Sequence, residues 1–446
     1  MTVETGAAAA PQDQSDVLII GGGPAGSTAA MMLVEKGYRV TLLEKARHPR
    51  FHIGESLLPA NLPLFERLGV ADEVRAIGMP KWGAEFVSPW HAGRTQTFEF
   101  AEAWDKSMPF AYQVRRSQFD EILIRRAGAC GARVIEGCRV RDVEFPDKGV
   151  RVQAEHEDGR KETFEARFII DASGRDTFLA NRLNTKQRDR KHNSSAMYAH
   201  FSNAQRHEDC KRAGNICIYW FEHGWIWFIP LADGATSVGT VVWPYYMKSR
   251  KKPLREFFLE TIALCRPLQE RLKDAELISD VEATGNYSYS CERSYGNRFL
   301  LVGDAFTFID PMFSSGVMLA MTTAVTAADT VDVCLGEPAR AADALKHFER
   351  ISRHGSKEYS WFIHRITNPS MRDLFMGPRN ILRMKEAMLG LLAGDIFGKT
   401  PIWPSLRAFK ALYYLVSFAN LKRSLQAMRR RRFNIRPVET DHMTAS

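Results

Sequence analysis

The sequence predicts an α/β fold with an inserted antiparallel β-sheet domain and an α-helical C-terminal region. A strand pattern, a glycine-rich turn and a helical pattern follow one another over residues 16–36, which is typical of a domain built on a parallel sheet. Aromatic strand-like runs succeed one another over residues 195–243, which favours antiparallel strands. Residues 340–432 keep helical spacing almost throughout, so we expect helices at this end.

The first strand and helix enclose a turn that suits a dinucleotide. The strand reads DVLII, the turn reads GGGPAGS, and a second strand pattern ends at Glu44. The spacing Gly21-x-Gly23-x-x-Gly26 supplies a tight turn, a backbone without side chains beside a pyrophosphate, and close helix packing. Glu44 is placed to accept hydrogen bonds from ribose hydroxyls. These features predict a Rossmann-like domain that binds FAD or NAD(P).

Two later strand patterns end in a carboxylate. Residues 168–170 run into Asp171 of the sequence DASG, and residues 299–302 run into Gly303 and Asp304. Ligands of open α/β sheets lie beyond the carboxyl ends of the strands, so both aspartates are candidates for contact with a cofactor's sugar chain. Taken alone, each is more commonly the aspartate of a turn or a helix cap.

The run HGWIWFIPL at residues 223–231 is apolar on both faces when it is read as a strand. Trp225, Trp227 and Ile229 share one face, and Ile226 and Phe228 share the other. A short run of this kind predicts a strand that is buried on both sides. Core packing is therefore the first interpretation of the two tryptophans.

Composition and charge argue against several other classes of protein. Hydrophobic residues make up 45% of the chain, and no signal-peptide pattern or membrane-spanning run is evident, so membrane association is not expected. Seven cysteines without metal-ligand spacing predict reduced thiols, a cytoplasmic location and no metal site. The net charge of +9 lies largely in short basic clusters without interleaved aromatics, which argues against nucleic acid as a partner.

The order of the motifs resembles that of a known class of flavoproteins. After the glycine turn come Gln113 and Arg116 in a QxxR pattern, then DASG, then GD. Over residues 16–335 this order is similar to the FAD-binding domain of the hydroxybenzoate-hydroxylase-like flavoproteins. The resemblance implies FAD as the cofactor, bound by Gly21, Gly23, Gly26, Glu44, Gln113, Arg116, Asp171, Asp304 and Gly316.

Three features make the chain resemble, more narrowly, the flavin-dependent halogenases of phenols and carrier-bound pyrroles. Trp225, Trp227 and Pro230 match the WxWxIP motif of that family. The segment RFHIGESLLP at residues 50–59 looks like the one that follows the acidic cofactor residue in those enzymes. Lys81 falls where the family keeps its essential lysine, although composition alone favours an exposed turn lysine.

The segment DPMFSSG at residues 310–316 leads into an apolar helix. The resemblance implies that the backbone N–H groups of Ser315 and Gly316 bind halide near the flavin, an arrangement that the helix dipole favours. On the residues alone, simple N-capping by serine is an equal alternative. Tryptophan halogenases place a glutamate where this chain has Phe313, so the resemblance implies a phenol or another electron-rich ring rather than tryptophan.

The implied activity is halogenation that depends on FADH2 and O2. A separate flavin reductase would supply the FADH2, chloride or bromide would be oxidised to hypohalous acid, and Lys81 would deliver it to a phenolic or pyrrole-like substrate. The substrate would be free or tethered to an acyl or peptidyl carrier protein, in antibiotic or pigment biosynthesis. Trp225 and Trp227 would wall off the flavin from it. The alternatives are an FAD-dependent aromatic hydroxylase (monooxygenase), an isoprenoid-chain reductase, and a flavin-binding scaffold without catalysis.

The expected domain limits follow from the same patterns. Residues 1–14 are expected to form a loose tail. Residues 15–80, 105–185 and 280–338 should form the FAD-binding domain, with residues 81–104 and 186–279 in the β-sheet substrate domain. Residues 339–446 should form the helical C-terminal region, most simply a lid or a wall over the substrate. Its basic, amphipathic final helix could instead meet a membrane or an acidic carrier protein.

Overall fold

The computed structural model of the chain describes residues 14–285 and 288–436. The tail predicted at residues 1–14 lies outside the described residues, apart from Gln14, where the first strand begins.

Strands and helices alternate through the first part of the chain. In order they are β1 (Gln14–Ile20), α1 (Pro24–Glu35), β2 (Val40–Glu44), α2 (Leu62–Leu68), α3 (Ala71–Ile77), β3 (Met79–Lys81), β4 (Gly83–Ser88), β5 (Arg94–Glu99), β6 (Ala111–Gln113), α4 (Arg116–Ala129), β7 (Arg133–Glu136), β8 (Cys138–Glu144), β9 (Val150–His156) and β10 (Lys161–Asp171).

The middle of the chain is mostly strands, and the last part is helical. The middle elements are α5 (Phe178–Arg182), β11 (Lys186–Arg188), β12 (Ser195–Ser202), β13 (Ile216–Phe221), β14 (Gly224–Pro230), β15 (Thr236–Val242), α6 (Pro244–Lys248), α7 (Leu254–Ala263), α8 (Arg266–Arg271), β16 (Glu276–Leu277), β17 (Glu282–Gly285), β18 (Tyr289–Cys291), β19 (Tyr295–Gly296), β20 (Phe299–Leu301) and β21 (Thr307–Phe308). The helices that follow are α9 (Gly316–Gly336), α10 (Ala341–Ile363), α11 (Pro369–Met376), α12 (Met384–Ala393), α13 (Trp403–Ala419) and α14 (Leu421–Asn434).

The first sheet has the order β19-β20-β10-β1-β2-β7, with β9 beside β10 and β8 beside β9. The five strands from β20 to β7 run parallel, so their carboxyl ends meet at one edge. In β1, Val17 and Ile19 pack into one hydrophobic core while Leu18 and Ile20 pack into another. Burial on both faces explains why this strand reads as a continuous apolar run.

The second sheet has the order β16-β12-β15-β14-β13-β4-β5, with β17 also paired to β12. Its pairs are antiparallel, as predicted, except that β4 runs parallel to β13. A long stretch of chain separates β4 from β13, so no tight turn joins the two strands and a parallel pairing is possible. The strand β17 belongs to this sheet although it lies beyond the expected limit at residue 279. The domain limits themselves stay a prediction.

Two helical stretches of the chain are each divided. Helix α8 follows directly after α7, because Pro267 begins a new helix at the start of α8. The expected final helix is α13 followed by α14, which meet at Asn420. Within the described residues, α9 is the one helix long and apolar enough to cross a membrane by length and composition. It packs against α1 and α10, which is the behaviour of a core helix.

Candidate functional site

The parallel sheet ends in a cavity of about 330 Å³. Its walls come from the loops that follow β1, β2, β10 and β20, from the start of α9 and from strand β14 of the second sheet. The cavity therefore lies beyond the carboxyl ends of parallel strands, where open α/β sheets bind ligands.

The turn after β1 requires glycine at two positions, Gly21 and Gly26. Gly21 has a φ of +99°, and a Cβ atom there would lie 2.4 Å from the carbonyl oxygen of Ala172. A Cβ at Gly26 would lie 1.8 Å from the carbonyl oxygen of Gly21, so this glycine lets α1 pack against the turn. Gly21 and Gly23 line the cavity, whereas Gly26 lies behind it.

Glu44 lines the cavity and is buried. Its Oε2 accepts a hydrogen bond from the backbone N–H of Gly22 at 2.7 Å, and its Oε1 accepts one from Ala46 at 2.9 Å. The carboxylate therefore stabilises the glycine turn as well as lining the cavity. The sequence did not indicate this structural role.

Arg116 also lines the cavity, and four hydrogen bonds hold it there. Its guanidinium donates to both carboxylate oxygens of buried Asp120, at 2.8 and 3.0 Å, and to the carbonyl oxygens of Ile53 and Gly54. Gln113, its predicted companion, does not line the cavity: its amide donates to the carbonyl of Gly214 at 3.1 Å. The geometry supports a cofactor contact for Arg116 only.

The two aspartates at strand ends differ in position. Asp171 does not line the cavity; its carboxylate accepts hydrogen bonds from the backbone N–H groups of Ser173 and Leu179, and burial raises its pKa. It shapes the loop whose Ser173 does line the cavity. Asp304 lines the cavity directly, and burial raises the pKa of its carboxyl to about 6 although Arg116 and Arg175 lower it.

These residues fit FAD. The cavity combines a turn that approaches a ligand without side chains, the N-terminus of α1, a carboxylate at the end of β2, and Arg116. Glycines whose Cβ atoms would strike the neighbouring backbone show that the close approach is built into the turn. Such a set binds the pyrophosphate and ribose of a dinucleotide.

Strand β14 forms one wall of the cavity with Trp225, Trp227 and Ile229. The indole of Trp227 donates to the hydroxyl of Ser237 at 3.2 Å and lies over Gly239, where a Cβ would come within 2.1 Å of the ring. The ring centroids of Trp225 and Trp227 are 5.9 Å apart. Pro230, the last residue of the motif, is buried but does not line the cavity.

The opposite face of β14 packs elsewhere. Ile226 and Phe228 join a separate hydrophobic core with Phe257 and Phe258 of α7. The strand is thus buried on both sides, as predicted, and only its tryptophan face meets the cavity. We call Trp225, Trp227 and Ile229 the tryptophan wall.

Lys81, the last residue of β3, is 1% exposed, so the interpretation as an exposed turn lysine is wrong. Its Nζ donates to the hydroxyl of Ser56 and to the carbonyl of Leu57, both at 2.9 Å, and lies 5.3 Å from the centre of the Phe100 ring. Burial lowers its pKa to about 7, and no carboxylate in the described part of the chain pairs with it to oppose this shift. Neutral amine and ammonium are therefore both accessible near neutral pH.

The lowered pKa predicts a pH-dependent stability. Since the pKa of Lys81 falls from 10.5 in the unfolded chain to about 7 in the folded one, the unfolded chain binds more protons between these values, and stability rises with pH there. The cost of burying the lysine is on the order of 5 kcal/mol below pH 7 and disappears above pH 10.5. Chemical denaturation gives the free energy of unfolding of wild type and of Lys81→Met. The free energy of the variant relative to wild type should decrease as pH rises.

The exposed Lys148 provides a control for the loss of one lysine charge, as Lys148→Met. A stability difference between wild type and Lys81→Met that stays constant from about pH 7 to pH 10.5 would mean that burial leaves this lysine's pKa unchanged.

Ser56 connects Lys81 to the cavity. It lines the cavity together with Glu55, and its hydroxyl accepts the hydrogen bond from Lys81. Glu55 in turn pairs with His200 of β12 at 2.8 Å, and its second oxygen has no partner among the described residues. The contact between Glu55 and His200 joins residues 145 positions apart, and no local pattern in the sequence indicates it.

The segment that leads into α9 forms a tight turn. Asp310 accepts a hydrogen bond from the backbone N–H of Met312, Ser314 has a left-handed φ of 56°, and α9 begins at Gly316. Ser315 makes no side-chain capping bond, so the N-capping alternative receives no support. Gly316 lines the large cavity, whereas Ser315 lines a small cavity beside it. We call residues 310–316 the α9 turn.

The α9 turn is anchored by a buried network that the sequence analysis missed. His192 Nε2 lies 2.8 Å from Asp310 Oδ2, and Arg431 of α14 donates to His192 Nδ1 at 3.0 Å. A nitrogen that accepts from a guanidinium carries no proton, so His192 is the neutral tautomer whose Nε2–H donates to Asp310. Burial lowers the pKa of His192, in agreement with a neutral ring. Arg431 of the basic C-terminal helix therefore belongs to this buried network.

Phe313, within the α9 turn, is 3% exposed. Its ring packs 6.3 Å from each of the rings of Tyr359, Phe362 and Phe375, measured between centroids. The position is thus part of an aromatic cluster with the helical region, and it contributes no proton acceptor.

One cluster of side chains in the described part of the chain could suit a metal ion, namely Glu85, His207 and Cys217. Arg212 already donates to both carboxylate oxygens of Glu85, at 2.9 and 3.0 Å, and Asn215 donates to one of them. The guanidinium supplies the positive charge that a cation would bring, so the buried carboxylate of Glu85 is already paired with the partly exposed Arg212.

Comparison with known proteins adds independent information. A family model described as FAD binding domain matches residues 14–350. The 1H-pyrrole-2-carbonyl-[peptidyl-carrier protein] chlorinase of Pseudomonas fluorescens is 31% identical over 404 residues, covering 86% of this chain and 89% of that protein. The tryptophan 2-halogenase of Chondromyces crocatus is 34% identical over 348 residues, covering 75% and 64% respectively. The structure of the myxobacterial chondrochloren halogenase CndH matches with a TM-score of 0.76 and 33% identity, over 91% of this chain and 97% of that one.

Proposed function

Because this chain belongs to the flavin-dependent halogenases, we propose that it halogenates a phenolic or pyrrole-like ring and that Lys81 delivers the halogen. The enzyme uses FAD, O2 and halide, and an aromatic compound is its substrate. The observation that carries the role of Lys81 is its burial beside Ser56, a residue of the cavity wall. The hydroxylase and the isoprenoid-chain reductase are not favoured.

The cavity residues divide the work of holding the cofactor. Gly21, Gly23, Glu44, Arg116 and Asp304 line the cavity and would contact FAD, while Gly26, Gln113 and Asp171 support the surrounding backbone. When bound, reduced FAD and O2 supply the oxidising power that turns halide into hypohalous acid. The protein has to exclude the organic substrate from that reaction and receive the hypohalous acid elsewhere.

The tryptophan wall and Lys81 suit those two tasks. The wall residues are 5–6% exposed, and Trp227 is held in place by packing against Gly239 and by its bond to Ser237. Lys81, as neutral amine, could form a haloamine; as ammonium, it could hydrogen-bond to and polarise hypohalous acid. A pKa near neutrality leaves both routes open.

The substrate class follows from what stands at position 313. The phenylalanine there is enclosed by aromatic rings and cannot accept a ring proton. A substrate activated by its own hydroxyl or ring nitrogen has less need of a protein base. The chlorinase relative, whose name specifies a pyrrole on a peptidyl carrier protein, supports a carrier-bound substrate as one form, whereas the tryptophan 2-halogenase relative keeps an indole substrate as the competing possibility.

A separate flavin reductase and a cytoplasmic location complete the proposal. Seven cysteines, none in a disulfide among the described residues, suit a reducing compartment. The proposal includes no association with nucleic acid or with a membrane.

The proposal is tested by the products themselves. We expect the enzyme, supplied with reduced FAD, O2 and a mixture of chloride and bromide, to give products with halogen isotope patterns in the mass spectrum. Free phenols, free tryptophan and pyrrolyl groups on a carrier protein should be offered in parallel. Halogenation of tryptophan alone would overturn the substrate class, and oxygenated products independent of halide would overturn the reaction.

A further inference from the structure

A small cavity of about 30 Å³ lies at the start of α9, beside the large one. Ser315, Gly316 and Leu319 of the helix start line it on one side, and Ser352 and Ser356 of α10 on another. Its volume suits a single water molecule or a monoatomic ion. The two cavities share four lining residues, namely Asp304, Phe308, Pro311 and Gly316.

The hydroxyl of Ser352 is buried and has no hydrogen-bond partner among the described residues. The residue is 3% exposed. Serine and threonine within helices commonly donate to the carbonyl four residues earlier, as Ser356 does to Ser352 at 3.2 Å and Thr323 does to Leu319 at 2.8 Å. Ser352 makes no such bond among the described residues, and the small cavity that it lines is the space left for a partner.

The opposite side of this cavity attracts negative charge. The helix α9 has 21 residues, and no side chain caps its N-terminus, so the first N–H groups stand at the positive end of the helix dipole. A hydroxyl donor from α10 and N–H donors from α9 thus face a common space. Donors on two sides with a positive dipole suit an anion better than a cation.

One residue opposes an anion here. Asp304 is the single ionisable side chain among the described residues that line the small cavity. Burial raises its pKa to about 6, so the opposing charge is reduced at mildly acidic pH. The volume of the cavity then restricts the ligand to a small anion such as halide.

We propose that Ser352 donates a hydrogen bond to a halide ion held in the small cavity against the N-terminus of α9. This inference rests on the proposed function and deepens it, because it adds a side-chain donor from the helical region to a halide site otherwise made of backbone N–H groups. The shared wall at Gly316 places the ion next to the flavin cavity.

The test measures halide binding without turnover. We expect the FAD-loaded, oxidised enzyme to broaden the chloride NMR signal in proportion to bound chloride, so that titration gives the Kd. We expect Ser352→Ala to raise the Kd for chloride about tenfold, the value of one hydrogen bond to a charged group. Ser352→Thr keeps a hydroxyl and should keep the wild-type Kd. Ser356→Ala is the matched control, because that hydroxyl lines the same cavity but already bonds to its own helix.

The fold provides a second readout. Ser352→Ala removes a buried hydroxyl without a partner, so its melting temperature in the absence of halide should equal or exceed that of wild type. Weaker chloride binding with an undiminished melting temperature separates lost binding from misfolding. A Kd for Ser352→Ala equal to that of wild type, or a wild type that does not broaden the chloride signal, would overturn the inference.

Turnover distinguishes this inference from the proposed function. We expect Ser352→Ala to raise the KM for chloride while kcat at saturating chloride stays near wild type. A wild type that binds chloride through Ser352 but yields no halogenated product would leave the anion site standing and overturn the proposed function. If the wild type halogenates its substrate and Ser352→Ala has the same KM for chloride, the proposed function stands and the role of Ser352 is overturned.

Discussion

Lys81→Ala should lower the formation of halogenated product by about 10³-fold or more, the range expected when a positioned catalytic group is lost. Lys81 is buried against Ser56 and Leu57, so no neighbouring amine can replace it in that place. The variant should still consume reduced FAD and O2, because the lysine does not line the cofactor cavity. Mass spectrometry of the product, together with a peroxide assay, measures both effects.

A second substitution separates the two roles of the lysine. Arginine keeps a positive charge and hydrogen-bond donors but cannot become a neutral amine. Lys81→Arg should retain measurable halogenation if the ammonium polarises hypohalous acid, and should match the alanine variant if a haloamine forms. Halogenation that survives in Lys81→Ala would exclude this residue as the delivering group.

The double variant Trp225→Val, Trp227→Leu should lower halogenation and give directly oxygenated product or more free peroxide. Both indoles line the flavin cavity. If they keep the organic substrate from the flavin, as proposed, smaller side chains remove that barrier. The loss of buried aromatic volume also costs stability, up to about 3–5 kcal/mol for each full truncation. The ratio of oxygenated to halogenated product, measured on folded, FAD-loaded protein, is the decisive quantity.

Phe228→Leu is the matched control for this experiment. Phe228 lies between the wall residues on the same strand but packs into the core on the other face. Its replacement should reduce stability without changing the ratio of products. If the wall variant likewise keeps the wild-type ratio, the two tryptophans act as core residues only.

The cofactor side of the cavity was predictable because its signals are local. The glycine turn, Glu44 and Asp304 each stand at the end of a strand that the apolar pattern reveals, and parallel strands bring those ends to one edge. The QxxR pattern was less informative, because Gln113 ends β6 while Arg116 begins α4. Only one of the two side chains lines the cavity, and spacing along the chain does not indicate which.

The contacts that connect distant segments were not predictable. Glu55 meets His200, and His192 meets both Asp310 and Arg431, across separations of more than 100 residues. A hydrophobic period reports which face of an element is buried, but not which element covers it. The burial of Lys81 shows the same limit, because β3 carries too few residues to display a period.

The bond between Arg431 and His192 ties the α9 turn to a helix that is synthesised much later in the chain. His192 and Asp310 emerge from the ribosome well before α14, so the histidine lacks the guanidinium that selects its tautomer until residue 431 has been added. By that time every strand of both sheets has already been synthesised. A nascent chain therefore contains every residue that lines the cofactor cavity before α14 can anchor its α9 turn.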